Sequence, residues 1–266
     1  MPDKNLLHIV KIGGAVIDDS IALDHFLKLF AAIEGPKILV HGGGRKATEL
    51  AVQMGVSQQM HQGRRVTGAD TLDIVTMVYA GSINKNIVAG LQALSCNALG
   101  LSGADGNLIP AVKRPLKDGI DFGFVGDVLP ELNTGLLQLL LSAQYVPVIA
   151  PITHNQSGQL LNTNADTIAQ ELAKALAAGY EVKLVYTFEK NGVLTNAEDD
   201  DSVIPVLLRE QFGQMKTDGS IFAGMIPKLD NAFAAIDAGV AEVIIGHAGQ
   251  LQDIVNGRKG TIIRND

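Results

Sequence analysis

The sequence has a single cysteine and lacks any apolar run long enough to span a membrane. Cys96 is the only cysteine among 266 residues, so a disulfide cannot form within the chain and a reducing compartment is expected. The first residues, MPDKNLLHIVKIGG, carry acidic and basic side chains before a short apolar run, which is not the pattern of a signal peptide. A spanning helix needs about 20 consecutive apolar residues, and no run approaches that length. We therefore expect a cytoplasmic (cytosolic) protein with no membrane partner.

Positive charge is also scarce. Lys and Arg together number 21 against 28 Asp and Glu, which gives a formal net charge of −7. A nucleic-acid-binding surface needs an excess of basic side chains to neutralise phosphates, so we expect no nucleic-acid partner. A few local cations can still hold a small anionic ligand within an acidic protein. Hydrophobic residues make up 47% and charged residues 18% of the chain, the composition of an ordinary globular protein.

Short β-branched runs alternate along the chain with segments of helical length, which predicts βαβ units. The predicted strands are 7–12, 37–41, 97–101, 146–150, 183–187, 243–246 and 261–264. The predicted helices are 20–33, 45–54, 70–94, 133–144, 165–177, 228–238 and 249–256. Such alternation indicates an α/β fold, a three-layer αβα sandwich with a central, mainly parallel sheet covered on both faces.

Three other segments bear on the organisation of the chain. Residues 113–128 are rich in glycine and charge and predict hairpins and loops rather than a helix. A predicted helix ends near Ala178 and a new strand follows, which suggests an N-terminal lobe, 1–178, and a C-terminal lobe, 179–266. The acidic run 198–202 predicts a solvated loop rather than a metal site.

Glycine-rich turns follow the first two predicted strands. The first turn is Lys11-Ile12-Gly13-Gly14, and the second reads HGGGR at 41–45. Glycine lets backbone amides approach a phosphate closely, and a helix N-terminus adds partial positive charge. A tight strand-to-helix turn explains one such turn equally well. Two of them, one beside a lysine, favour an anion site.

Two other phosphate-binding motifs fit the sequence poorly. Gly42, Gly44 and Ala47 match the dinucleotide fingerprint G-x-G-x-x-A. That fingerprint requires an acidic residue about 20 positions later, where this chain reads HQGRR at 61–65. A Walker-type loop requires a Gly-Lys dipeptide, which the sequence lacks. A nucleotide-dependent dehydrogenase is therefore the weaker alternative.

Two predicted helix starts carry polar residues that local structure explains only in part. Lys228 opposes the dipole at the start of the helix 228–238, which suggests that it faces an anion, although a surface lysine is the simpler explanation. Asn164 is a good N-cap for the helix 165–177, and Asp166 suits the first turn of that helix. Asn162, two residues earlier, has no such structural role.

Taken in order, the motifs resemble the acetylglutamate kinases of the amino-acid kinase superfamily. They are K-I-G-G, V-H-G-G-G, G-x-R-V-T, G-L-S-G-x-D-G, F-G-F-V-G-D-V, N-x-N-A-D and G-M-I-x-K, spread over residues 8–260. The most specific pieces are 63–67, 100–106 and 122–128, since other kinases of the superfamily share mainly the glycine turns and lysines. The resemblance implies the amino-acid kinase fold and a phosphotransferase with a carboxyl group as acceptor.

The resemblance also implies a role for each matching residue. Catalytic residues would be Lys11 and Lys228, which contact the transferring phosphoryl group, and Asp166, which organises the two lysines. The residues that bind the acyl-glutamate would be Gly43, Gly44, Arg65 and Asn162, with Arg65 on the α-carboxylate. The residues that bind ATP would be Lys11, Gly13, Gly14, Glu189, Asn191, Gly192 and Lys228. Mg²⁺ would be carried on the nucleotide phosphates, with no metal site formed by the protein. The N-terminal lobe, 1–178, would bind the acyl-glutamate and form the dimer, and the C-terminal lobe, 179–266, would bind ATP.

The chain departs from the family pattern after the strand 183–187. Relatives usually read T-D-V-x-G-V-L there, whereas this chain has Phe188 in place of the aspartate and a loop that is one residue longer. Because that loop borders the nucleotide in relatives, its ATP contacts are the least certain to carry over. Glu189 is the candidate substitute for the missing acid.

The implied reaction is ATP-dependent phosphorylation of the side-chain carboxylate of N-acetyl-L-glutamate to N-acetyl-L-glutamyl 5-phosphate, a step of arginine biosynthesis. A carboxylate is already an anionic nucleophile at neutral pH, so a general base is not required, and His41 is expected to be structural. The same chemistry on N-succinyl-L-glutamate stays open. A non-catalytic ligand-binding relative is the other alternative, although the joint presence of Lys11, Asp166 and Lys228 argues against it.

The quaternary structure is expected to be a homodimer that is insensitive to arginine. Arginine-inhibited relatives carry an extra N-terminal helix that links dimers into hexamers. In this chain the first predicted strand begins by Leu7, which leaves no room for that helix.

Overall fold

The computed structural model describes residues 4–61, 64–116, 119–196, 198–221 and 225–265. The chain divides into two compact units. The first unit comprises Met1–Ile38 and Ala169–Asp266, and the second comprises Leu39–Ile168. Gly63 and Gly224, which belong to two of the quoted motifs, lie outside the described residues.

The strands and helices follow the predicted alternation. The strands are β1 (Leu6–Ile12), β2 (Lys37–His41), β3 (Gln59–His61), β4 (Arg64–Val66), β5 (Ala98–Leu101), β6 (Ala111–Lys113), β7 (Gly126–Val128), β8 (Val146–Ile149), β9 (Ile152–His154), β10 (Leu160–Asn162), β11 (Glu181–Phe188), β12 (Val206–Leu208), β13 (Glu242–His247) and β14 (Thr261–Arg264). The α-helices are α1 (Gly14–Asp18), α2 (Ser20–Ala31), α3 (Gly44–Gln53), α4 (Ala69–Thr76), α5 (Asn84–Ala93), α6 (Thr134–Ser142), α7 (Ala165–Leu176), α8 (Arg209–Asp218), α9 (Ile226–Asp237) and α10 (Leu251–Val255).

An eight-stranded sheet has the order β12-β14-β13-β11-β1-β2-β8-β5. Strands β1, β11 and β13 pair in parallel, as do β2, β8 and β5, whereas β13 and β14 pair antiparallel. Strands β1, β2 and β8 are buried along nearly their whole length, as expected for strands covered on both faces. The predicted α/β fold with a mainly parallel sheet is confirmed.

The first unit contains the first strand of the chain together with its last third. The reason is the parallel pairing of β1 with β11, in which Lys11 lies opposite Tyr186. The compact units therefore divide the chain differently from the predicted lobes, 1–178 and 179–266. The assignment of acyl-glutamate to one lobe and ATP to the other is a matter of ligands and stays a prediction.

The second unit adds three small antiparallel hairpins, which the strand pattern of the sequence did not resolve. They are β3–β4, β6–β7 and β9–β10. In the β6–β7 pair Ala111 lies opposite Val128 and Lys113 opposite Gly126. The prediction of hairpins and loops for 113–128 is therefore confirmed in the described part of that segment.

The helix predicted over 70–94 is confirmed as a continuous helical stretch, but its middle is not α-helical. A π-helical segment, Met77–Ile83, lies between α4 and α5. Apolar residues three and four positions apart fit an α-helix and a π-helical turn equally well, so the sequence pattern cannot distinguish them. Single π-turns inside α-helices occur frequently at functional sites.

Candidate functional site

Lys11 lies near the carboxyl end of β1, where its side chain is buried with 8% of its surface exposed. The hydroxyl of Thr187 donates a hydrogen bond to the carbonyl oxygen of Lys11 at 3.0 Å. This bond joins the ends of two central strands of the first unit. The backbone that carries Lys11 is therefore held on a rigid part of the sheet.

The ring of Phe188 brings Lys11 and Lys228 together. The Nζ atom of Lys11 lies 5.3 Å from the ring centroid, and that of Lys228 lies 3.8 Å from it. Lys228 is in the first turn of α9. Both distances fall within the roughly 6 Å over which an aromatic face attracts a cation. Two lysines separated by more than two hundred residues in sequence thus converge on one side chain.

The first glycine turn follows directly after β1. An ideal Cβ atom on Gly13 would lie 3.0 Å from the carbonyl oxygen of Thr187, whereas one on Gly14 would meet nothing within 4 Å. The close approach to β11 explains the glycine at position 13. At position 14 there is open space where a side chain would begin.

The loop after β11 is held by contacts of its own. The side-chain amide of Asn191 donates to the carbonyl oxygen of Asp200 at 3.2 Å, and Lys190 pairs with Asp200 at 2.7 Å. A Cβ atom on Gly192 would lie 2.7 Å from the hydroxyl oxygen of Thr261. These contacts give Asn191 and Gly192 structural roles. Glu189 is exposed. Nucleotide contacts of these three residues stay predictions.

The second glycine turn, in the second unit, opens α3. Gly43 has φ +142°, a conformation that side chains other than glycine rarely adopt, and a Cβ atom there would collide with Ile83. Gly44 is the first residue of α3, whose amides point out of the turn. The turn is therefore shaped by the π-helical segment packed against it.

Arg65 is anchored at this turn. Its Nη2 donates to the carbonyl oxygen of Gly44 and to the hydroxyl of Thr48, both at 2.8 Å, and its Nη1 donates to Gln58. Burial raises the pKa of Tyr79, on the π-helical segment, and the nearby guanidinium of Arg65 opposes that rise. The arginine therefore presents a fixed positive charge beside the second glycine turn.

Asn162 and Asp166 lie at either end of a short connection in the same unit. The amide of Asn162 donates to the hydroxyl of Thr67 at 3.0 Å, which links it to the motif that contains Arg65. The side chain of Asn164 accepts from the backbone amides of Asp166 and Thr167 at 2.8 and 3.2 Å. Asn164 is thus the N-cap that the sequence predicted, and Asp166 stands in the first turn of α7.

His41 is buried and structural, as predicted. Its Nδ1 donates to the carbonyl oxygen of Gly42 at 2.9 Å, and its Nε2 accepts from the amide of Asn84 at 3.1 Å. Asn84 also donates to the carbonyl oxygen of Val148 at 2.9 Å. Burial lowers the pKa of His41 to about 4. The neutral imidazole therefore satisfies both of its partners.

The predicted site residues fall into two groups by unit. The residues predicted to bind ATP belong to the first unit: Lys11, Gly13, Gly14, Glu189, Asn191, Gly192 and Lys228. The residues predicted to bind the acceptor, together with the third catalytic residue, belong to the second unit: Gly43, Gly44, Arg65, Asn162 and Asp166. Sequence reasoning missed the contacts of Phe188 and Tyr79. The replacement of an expected aspartate was the one available signal for Phe188.

Two further expectations concern metals and membranes. The acidic run 198–202 is largely exposed, as a solvated loop should be. Within the described ranges, the side chains do not form a group of three or more His, Cys, Asp or Glu able to hold a metal ion. Every described helix is too short or too polar to cross a bilayer.

Comparisons with known proteins agree with the motifs. The model of the Amino acid kinase family matches residues 7–247. Acetylglutamate kinase from Phocaeicola vulgatus is 55% identical over 261 residues, covering 98% of this chain and 99% of that protein. Acetylglutamate kinase from Bacteroides thetaiotaomicron is 56% identical over 250 residues, covering 94% and 96%. The solved structure of a Streptococcus mutans protein has a TM-score of 0.75 at 26% identity, covering 98% of this chain and 99% of that one.

The two buried histidines predict a loss of stability in acid. Burial, with Lys183 and Lys37 nearby, lowers the pKa of His8 to about 4, as burial does for His41. Because each folded pKa lies below the unfolded value of 6.5, the unfolded chain binds more protons between the two values. Stability is therefore full above pH 6.5 and falls as the pH drops toward 4, by up to about 1.4 kcal/mol per pH unit for each histidine.

Urea unfolding at a series of pH values between 4.5 and 8 measures this slope. The variant His41→Gln keeps an acceptor for Asn84 but does not titrate, so its unfolding free energy should fall less steeply below pH 6.5. Above pH 7 the unfolding free energy of both proteins should change equally little with pH, which provides the internal control. Parallel curves for the two proteins below pH 6.5 would contradict the assignment.

Proposed function

We infer the function from one premise: this chain belongs to the amino acid kinase family and, within it, to the acetylglutamate kinases. We propose that it transfers the γ-phosphoryl group of ATP to the side-chain carboxylate of N-acetyl-L-glutamate. The product is N-acetyl-L-glutamyl 5-phosphate, a step of arginine biosynthesis. The observation that carries the proposal is the convergence of Lys11 and Lys228 on one ring beside the first glycine turn.

In this proposal the first unit binds the nucleotide. Lys11 and Lys228 contact the transferring phosphoryl group, and the amides of Gly13 and Gly14 hold its oxygens. Mg²⁺ would enter together with ATP and would offset part of the charge of its phosphates. Positioned cations and backbone amides stabilise the charge that develops during phosphoryl transfer, which is the main task of such an enzyme.

The second unit binds the acceptor, the acyl-glutamate. Arg65 binds the α-carboxylate of the acyl-glutamate, supported by the fixed orientation that Gly44 and Thr48 give its guanidinium. Asn162 binds the acyl-glutamate from the neighbouring connection, and the amides of Gly43 and Gly44 receive the reacting carboxylate. Asp166, the third proposed catalytic residue, also belongs to the second unit.

The acceptor makes a general base unnecessary. A carboxylate is anionic at neutral pH, so the protein has to bring two anions together and align them. His41 is engaged through both ring nitrogens, and its pKa of about 4 makes it a poor proton acceptor at neutral pH. These features support a mechanism of positioning and charge stabilisation.

A coupled ADP-release assay tests the activity. With Mg-ATP, N-acetyl-L-glutamate should support turnover, and free glutamate should not. N-succinyl-L-glutamate is assayed in parallel. Turnover with that substrate alone would confirm the phosphoryl transfer but identify a succinyl rather than an acetyl group on the acceptor. ADP release with none of the three would contradict the proposed function and favour a non-catalytic relative.

Two substitutions separate the roles of the two sides in the same assay. Lys228→Ala should lower kcat by about a hundredfold or more, because the lysine acts mainly in the transition state. Arg65→Ala should raise KM for the acyl-glutamate by about tenfold or more with a smaller effect on kcat. Lys216→Ala, which removes an exposed ion pair with Asp230, is the matched control. Small and equal effects from the first two variants would mean that the site lies elsewhere.

The proposed assembly is a cytosolic homodimer that uses the outer strand β5. Leu99 on β5 is 37% exposed, and Leu94 just before it is equally exposed. An outer strand with apolar side chains is a ready template for pairing with a second copy. This surface supports dimerisation through the second unit.

Light scattering after gel filtration measures the assembly. The protein should elute with twice the 28.1 kDa mass of one chain. Leu99→Glu should shift it toward the monomer, because a buried carboxylate is costly in an interface. Leu208→Glu is the control, since Leu208 is 36% exposed on the opposite outer strand, β12. A monomeric or hexameric wild-type protein would refute the dimer.

A further inference from the structure

We propose that Phe188 is a positioning residue for phosphoryl transfer, whose ring holds the ammonium groups of Lys11 and Lys228 side by side. The inference rests on the proposed function, because it assigns to those lysines their role on the transferring group. Position 188 is also where the family resemblance led us to expect an aspartate.

The ring belongs to a strand that is paired on both sides within the first unit. Phe188 is the last residue of β11, which pairs in parallel with both β1 and β13. Its ring stacks with that of Tyr186, with centroids 6.3 Å apart and planes 20° from parallel. Residues two apart on a strand share a face, so the two rings form one platform. Lys11 lies opposite Tyr186 on the neighbouring strand and therefore stands beside this platform. The orientation of the ring is thus fixed from two directions.

An aromatic ring attracts two cations in a different way from a carboxylate. Two ammonium groups repel each other, and the negative face of a ring attracts both without carrying a net charge. A carboxylate at the same place would form ion pairs with the lysines and offset the positive charge that the phosphates require. Phe188 therefore attracts both lysines without adding a negative charge of its own.

Another ring of the same unit provides a matched comparison. The Nζ atom of Lys216 lies 5.5 Å from the Phe212 ring, which stacks on Phe233 at 5.3 Å. That contact is more distant than the 3.8 Å between Lys228 and Phe188. It involves a lysine that has no part in the proposed reaction. Phe212→Leu therefore controls for the general effect of losing an aromatic ring.

Steady-state kinetics on four proteins test the role, after the wild-type protein has shown turnover. Phe188→Leu should lower kcat about tenfold, while KM for N-acetyl-L-glutamate changes less than about twofold. Phe188→Tyr keeps the ring and should retain kcat within about twofold of wild type. Phe212→Leu should leave kcat unchanged, even if its melting temperature falls. Unchanged kcat in Phe188→Leu overturns the proposal, as does a rise confined to the KM for Mg-ATP.

A spectroscopic readout separates failure of this proposal from failure of the proposed function. Lysines labelled with ¹³C-methyl groups keep their charge, and two of their NMR signals should be shifted upfield by the Phe188 ring current. Lys11→Arg and Lys228→Arg assign those signals. Both shifts should vanish in Phe188→Leu and persist in Phe212→Leu, whether or not the protein turns over. Signals that Phe188→Leu leaves in place overturn the proposal.

Discussion

The parallel pairing of β1 with β11 is the constraint on which the proposed nucleotide-binding side depends. It sets Lys11 opposite Tyr186 and, through the hydroxyl of Thr187, ties the backbone of the two strands together. Because parallel strands end at the same edge of a sheet, the glycine turn after β1 and the ring of Phe188 reach that edge together. Residues far apart in sequence become neighbours through backbone hydrogen bonds in the core of the sheet.

The chemistry assigned to this edge follows from charge rather than from proton transfer. In a protein with a net charge of −7, the proposed reaction depends on a few local cations in each unit to bind the anionic substrates. Lys11 and Lys228 share a neutral aromatic platform, and Arg65 is fixed by backbone and hydroxyl acceptors. Aromatic, backbone and hydroxyl groups therefore contribute to the placement of these cations.

Much of the fold could be predicted from the sequence because its strands are short, β-branched and separated by strong helical patterns. Local rules also identified the cap at Asn164. They missed α8, a largely polar helix in which Phe212 and Met215 are the buried apolar residues. They also missed the π-helical segment, because the spacing of its apolar residues fits an α-helix as well. The role of Phe188 could not be predicted, because it arises from the meeting of β1, β11 and α9, and not from any local pattern.

The central claim is that the side-chain carboxylate of the acyl-glutamate attacks the γ-phosphorus of ATP directly. N-acetyl-L-glutamate labelled with ¹⁸O in that carboxylate tests it through ³¹P NMR of the phosphorylated product. Direct attack predicts an isotope-shifted phosphorus signal, since the bridging oxygen then comes from the acceptor. Release of unlabelled inorganic phosphate with no labelled acyl phosphate would mean that water is the nucleophile, and it would contradict the account.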